Sequence, residues 1–323
     1  MQGTFLHVHR PFYRYPNQTL KNNRDNSPYD LESLRSDELP ITAFKPIVPL
    51  GEFTARYNQR ASGQPFSSAF RIAWRAMADN VGRRTLMCAI IPPGPTHVHG
   101  IGSLALTTDD PRQLLILAAL LGSLQADFFV RAAPKSTIPG HVISRIPAPS
   151  IPRALEAEAI ARVLRLNALT HEWAPIYDYA WPTNEHQVGW SVSGLRLAPL
   201  GGVLDKWSRA VPLRTDEERY QAEMELDVIA AISLRLGVED LLGLYRSQFP
   251  VLFSRDAKTV FNGSGRAAVG RAERTTMSMA VAAPGGGGEA ACLSQQGLQR
   301  PLDRSADMRL AYSHFQRVVR EHS

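Results

Sequence analysis

The chain has 323 residues, 44% of them hydrophobic, with only two cysteines and a net charge of +6. That length and apolar content exclude a wholly disordered chain and leave room for a sizeable core. Cys88 and Cys292 lie in unlike contexts and imply neither a disulfide framework nor a cysteine-based zinc site, and no apolar run reaches the roughly 18–20 residues a membrane span requires.

The first 52 residues, beginning "MQGTFLHVHRPFYRYP", are polar, lack a sustained period and read as an irregular arm. They have neither the apolar core nor the cleavage pattern of a secretory signal, so a reducing cytoplasm is the expected compartment. "RIAWRAMADNVGRRTLMCAIIPPGP" gives two apolar runs, the second ending at Pro92-Pro93-Gly94, where proline stops a strand. "HGIGSLALTT" predicts a short strand. "TTDDPRQLLILAALLGSLQADFFVR" predicts one buried helix, capped by Thr108, Asp109 or Asp110, with Pro111 in its first turn. "GHVISRIPAP" reads as another short strand. "SIPRALEAEAIARVLRLNALTHEWAP" predicts a second helix, with Leu155, Ile160, Val163, Leu166 and Leu169 on the core side and Glu156, Glu158, Arg162 and Arg165 on the other faces. Residues 173–213 read as mixed loop. A helix follows that Thr215 or Asp216 caps and Gly237 stops, then a shorter one ending before Pro250. Residues 256–299, including "APGGGGEAA", read as a mobile linker, and 300–323 as a short amphipathic helix.

Charge is unevenly placed. Between Phe53 and Leu155 eleven bases face four acids, a local +7, and ten of the eleven are arginines, whose planar fork suits phosphates and guanine edges. Such a segment is either the electrostatic footprint of a nucleic-acid binder or a solvated basic surface. "RIAWR" places Arg71 and Arg75 on one face whether it forms helix or strand, suited to phosphate contact or to salt bridging. The stretch "FFVRAAPKSTIPGHVISRIPAPSIP" holds Arg131, Lys135, His141 and Arg145 and no acid. Lys135, Ser136 and Thr137 form a compact set of donors for phosphates or base edges, unless the loop merely joins two elements.

Catalytic signatures are missing: there is no phosphate loop, no nucleophile elbow and no glycine-rich cofactor turn. "IIPPGP" is not the Asn/Asp-Pro-Pro-aromatic motif of amino-methyltransferases, because Ile91 cannot accept a hydrogen bond from an exocyclic amine and Gly94 cannot stack on a flipped base. His7/His9 and His97/His99 could each offer two ligands to a metal, but no third is apparent nearby. The acid pairs Asp109-Asp110 and Glu217-Glu218 suit helix starts. The tryptophans at 173, 181 and 190 could stack on bases, but suit packing of the helical layer better.

The order of "AFRIAWRAMADNVGRRTLMCAIIPPGP", "LLILAALLGSLQADFFVR" and "KSTIPGHVISRIPAPSIP" resembles the target-recognition domain of type IIG and type ISP adenine-N6 restriction-modification methyltransferases and of related phage-exclusion enzymes. The layout is also similar to half of a type I specificity subunit. "LDVIAAISLRLGVEDLLGLYRSQFPVLFSRD" and "LDRSADMRLAYSHF" resemble later segments of the same enzymes. The resemblance implies an α+β fold: a small twisted sheet with a buried helix (53–153), a helical spacer (154–255), a linker (256–299) and a terminal helix. It implies recognition of double-stranded DNA through Arg71, Arg75, Arg83, Arg84, Lys135, Ser136, Thr137, His141 and Arg145. Arginines and Lys135 would hold phosphates, while Ser136, Thr137 and His141 would reach base edges. No cofactor is expected on this chain; S-adenosylmethionine would belong to a methyltransferase partner, with or without a nuclease. The alternative is a split or truncated fragment of such an enzyme, since only about 50 residues precede the matching region and none forms a catalytic motif.

Overall fold

A computed structural model describes residues 1–22, 24–57, 60, 63–79, 81–108, 110–132, 136–182, 188–192, 197–202, 205–269 and 298–322. The fold is α+β, with three small antiparallel sheets and a larger set of packed helices. "RIAWR" resolves as a strand. Two short strands in the N-terminal arm, β1 (Arg14–Pro16) and β2 (Asn26–Pro28), form a hairpin, and a short helix, α1 (Leu50–Arg56), follows. The next sheet has β3 (Arg71–Arg75) between β4 (Cys88–Ile91) and β5 (Ile101–Leu104). Its side chains alternate between two covered faces, which is why β4 reads as an unbroken apolar run. Ile72, Trp74, Cys88 and Ile90 join the main core, while Ala73, Ala89, Ile91 and Ile101 pack on Met1 and Leu6. The arm is thus irregular in conformation but anchored, with Phe12, Leu31 and Leu34 also buried. Gly102 lets Trp74 lie flat across β5: a Cβ there would stand 2.3 Å from the indole.

The single long helix expected over 111–131 is two, α2 (Pro111–Leu121) and α3 (Leu124–Ala132), bent by 61°. Asp110 caps the first, its carboxylate accepting from Arg112 N–H at 2.9 Å, with Pro111 in the first turn. The break has two causes. A Cβ on residue 122 would stand 2.0 Å from His9 Nε2, so the arm packs into the space glycine leaves. The new helix start is then held from outside, Leu124 N–H donating to Asp227 Oδ1 at 2.8 Å.

The helical layer comprises α5 (Arg153–Asn167), α6 (Ala174–Ala180), α7 (Asp216–Ser233), α8 (Val238–Gln248), α9 (Pro250–Asp256) and α10 (Arg304–Glu321), with a single turn, α4 (Gly140–Ile143), between α3 and α5. The apolar stripe predicted for α5 is buried throughout. The charged positions on its other faces are buried as well, with Glu158, Arg162 and Arg165 all inside. From Ala157 onward the helix is enclosed on all sides, and its charges are paired inside. Arg162 binds Glu158 and donates to Glu225 Oε2 at 2.6 Å, while Arg165 donates to the carbonyls of Val211, Pro199 and Leu200. Thr215 and Glu218 form a reciprocal capping box at the start of α7. That helix ends at Ser233, with Arg235 in the left-handed region (φ 57°), and Gly237 opens α8 rather than closing α7. The predicted C-terminal helix forms, and buries Met308, Ala311 and Phe315.

Two further expectations change. "GHVISRIPAP" is the α4 turn followed by extended loop, not a strand: Pro139 precedes the turn, and the Ser144 amide returns to the Gly140 carbonyl at 2.9 Å. Part of the expected linker is ordered sheet, with β6 (Thr259–Asn262) between β7 (Ala267–Val269) and β8 (Leu298–Pro301). The glycine-rich stretch 270–297 lies outside the described residues. One apolar core runs from Phe12 to Phe315 and crosses the expected boundary at 153. Ile90 N–H donates to Asn167 Oδ1 at 2.9 Å, and Trp173 Nε1 donates to Ile90 O at 3.2 Å, tying sheet to helices. Among the described residues no single helix is long and apolar enough to cross a membrane, and the bent α2–α3 pair is packed in this core.

Candidate nucleic-acid interface

The structure divides the nine candidate residues. Two arginines are turned inward. Arg84 is 6% exposed and donates from Nε to Asp127 Oδ2 at 2.5 Å. Its Nη2 donates to the carbonyls of Gly122 and Ser123 at 2.6 and 2.9 Å. Those carbonyls belong to the end of α2, where no further helical amide is available to them. Burial alone would lower the Arg84 pKa, but Asp127 and then Asp227 outweigh it and raise it. Arg71 is fully buried, donating to Pro95 O and, at 3.4 Å, to Ala69 O. Neither can reach a duplex, which corrects their assignment as phosphate contacts. Arg71 and Arg75 do share a face of β3, but the N-terminal arm covers it. Arg75 is half-buried, with Nη1 2.9 Å from Met87 Sδ, and burial lowers its pKa.

The loop after α3 behaves differently. Ala78 N–H donates to Ser136 O at 3.1 Å and Ile138 N–H to Ala76 O at 2.7 Å, so residues 136–138 form an added rung beside the end of β3. Trp74 Nε1 donates to Ile138 O at 2.8 Å. Ile138, Ile143, Ile146 and Ile151 are all buried, pinning the loop at intervals. Ser136 and Thr137 just before these anchors, and His141, Ser144 and Arg145 between them, are exposed, and Arg153 is exposed where α5 begins. The stretch from Phe128 to Leu155 contains no acid. The result is a fixed ridge of hydroxyl, imidazole and guanidinium groups facing solvent. Lys135 lies outside the described residues. Arg83 is half-buried and makes no hydrogen bond or ion pair among the described residues.

Other conspicuous side chains serve the fold. Arg131 donates to the carbonyls of Gln248 and Gly82 and lies 4.6 Å from the Phe249 ring centroid. Trp173 and Trp181 are buried, and Trp181 stacks on Tyr177 with centroids 5.1 Å apart. Trp190 donates to Ala198 O at 2.9 Å. These are packing roles, not stacking platforms for bases. His9 is buried beside Asn167, its pKa lowered to about 3 by burial and by Arg84 and Arg219. His97 sits 2.8 Å from Ser103 Oγ. Among the described residues no group of three or more His, Cys, Asp or Glu is placed to hold a metal. Burial pushes the Cys88 thiol up to about 12, unsuited to nucleophilic work at neutral pH.

Compared with known protein families, curated proteins and solved structures, the chain matches none.

Proposed function

We propose that this chain is a sequence-recognition module for double-stranded DNA in a restriction-modification or phage-defence system. It would act in the cytoplasm with an adenine-N6 methyltransferase that carries S-adenosylmethionine and takes the adenine out of the stack. The observation that carries the reading is the ridge at 136–153: exposed donors, no acid, and a backbone fixed to β3 and to four buried isoleucines. A rigid, acid-free element is what groove readout needs, because the donors are positioned before the duplex arrives and meet no competing carboxylate.

Roles follow from chemistry. Arg145, joined by Arg153 at the start of α5, holds phosphates on the ridge. Ser136, Thr137 and His141 address base edges. The test is binding of alanine variants to a selected site and to random duplex. Arg145→Ala should weaken both about equally, whereas Thr137→Ala or His141→Ala should cost roughly 1–3 kcal/mol on the selected site alone. Wild-type affinity in all of these variants would remove the ridge from the interface.

A further inference from the structure

A cavity of about 170 Å³ lies where the N-terminal arm, the turn before β4, the first turns of α7, α9, β6 and the start of α10 meet. It is lined by six arginines, at 10, 83, 84, 219, 255 and 304, against three acids, Asp216, Glu223 and Asp256. Two of the six arginines are already paired, Arg84 with Asp127 and Arg304 with Asp256 and Asp227, and two of the lining acids are engaged. Asp256 accepts from Arg304 Nε at 2.8 Å and from Tyr245 Oη at 2.9 Å, and Asp216 accepts from Ala267 N–H at 3.0 Å. Among the described residues, Arg219, Arg10 and Arg83 make no hydrogen bond or ion pair to a carboxylate. Arg219 is 4% exposed and, among the described residues, donates only to the carbonyls of Leu166, Leu213 and His9. Arg10 donates to the carbonyls of Phe12 and Tyr29. Arg83 stands half-exposed at the side with no hydrogen bond or ion pair among the described residues.

Buried arginines satisfied by neutral carbonyls keep their full charge, opposed here only at longer range by Asp216 and Glu223, and a recess walled by them concentrates positive potential. Burial and the neighbouring Arg10 lower the Arg219 pKa to about 10, a sign of the same excess. Glu223 lies among Arg219, Arg84, Arg304 and Arg10 and makes no hydrogen bond among the described residues. It opposes the cations by charge without being clamped by any of them.

We propose that this cavity binds a terminal phosphate group. A phosphodiester within a strand carries a single charge and offers only two free oxygens. A monoester or free phosphate has one substituent or none, carries close to two negative charges at neutral pH, and offers three oxygens to guanidinium forks. Its source is a free nucleotide or the phosphorylated end of a nucleic-acid strand. The site stands independently of the ridge at 136–153, so either reading can fail without the other.

The experiment is calorimetric titration of the full chain with inorganic phosphate, a nucleoside monophosphate, and a short duplex with either a 5′-phosphate or a 5′-hydroxyl, at constant ionic strength with chloride as control. Saturable binding of phosphate or nucleotide is expected. Arg83→Ala should weaken it about tenfold, and Glu223→Gln should tighten it, because removing a competing anion helps an incoming one. Equal affinity for the two duplexes, with nucleotide bound, assigns a free ligand; preference for the phosphorylated duplex assigns a strand end. No saturable binding above the chloride control overturns the proposal. So does Glu223→Gln that stays folded by circular dichroism yet binds phosphate no better than the wild type, since Glu223 would then not oppose an incoming anion.

Discussion

Arg84→Met tests whether the basic segment is divided between fold and surface as described. In the wild type Asp127 is fully buried, and Arg84 is its closest cation. Removing the guanidinium leaves Asp127 with the Thr85 amide at 3.0 and 3.1 Å and with Arg131 Nε only at 3.9 Å. It also strips Nη2 from the Gly122 and Ser123 carbonyls at the α2–α3 break. Breaking a buried pair from one side costs about 3–5 kcal/mol. At roughly 2–4 °C per kcal/mol for larger domains, the melting temperature should fall by about 6–20 °C. Asp127→Asn keeps an acceptor for Thr85 while removing the charge, so Arg84→Met/Asp127→Asn should lose less than the two single variants added together. Urea unfolding followed by circular dichroism gives the four values of the cycle. Were Arg84→Met to lie within about 0.5 kcal/mol of wild type, Arg84 would be behaving as a surface arginine, and its removal from the DNA-contact set would be wrong.

Other outcomes follow from neighbouring features. Gly122→Ala should destabilise by a few kcal/mol, because the added methyl meets His9 Nε2 at 2.0 Å; His9→Ala in the same chain should recover part of that loss in thermal melts. His9 binds a proton near pH 6.5 when unfolded but only near pH 3 when folded. Its contribution is therefore present above pH 6.5 and is lost as pH falls toward 3, on the order of 1.4 kcal/mol per pH unit across that window; stability measured against pH should slope less steeply in His9→Asn, and an unchanged slope would contradict this. Glu225→Ala should cost about 3–5 kcal/mol by leaving Arg162 with Glu158 alone and freeing Ser191 Oγ, a loss readable by chemical denaturation. Arg145→Ala, fully on the surface, should change stability by less than about 0.5 kcal/mol.

Local pattern was enough to find much of the fold. The proline stop at 92, the α5 stripe and the Thr215 cap each depend on residues close in sequence, and each appears where the pattern places it, whereas local pattern left 71–75 open between helix and strand. What the pattern did not carry was tertiary. The α2–α3 bend depends on His9, more than a hundred residues away, filling the space above Gly122. The charged positions of α5 look solvated until Glu225 and the carbonyls of 199–211 are brought to them. The site shows the same division. Counting arginines located the basic segment, but no local rule separates Arg83, which makes no hydrogen bond or ion pair among the described residues, from its neighbour Arg84, consumed by Asp127 forty-three residues later. The arginine-lined cavity had no sequence signal, because its residues come from positions 7 to 304. The ridge did leave one: the spacing of Ile138, Ile143, Ile146 and Ile151 marks the buried side of a loop whose other side is polar.

The central claim is tested most directly by binding of the purified full chain to random-sequence duplex DNA across a salt series, followed by sequencing of the bound fraction. Recognition through the ridge predicts affinity that falls steeply with salt, an enriched motif, and loss of that motif in Thr137→Ala/His141→Ala. A folded chain that binds no duplex at low salt would contradict it.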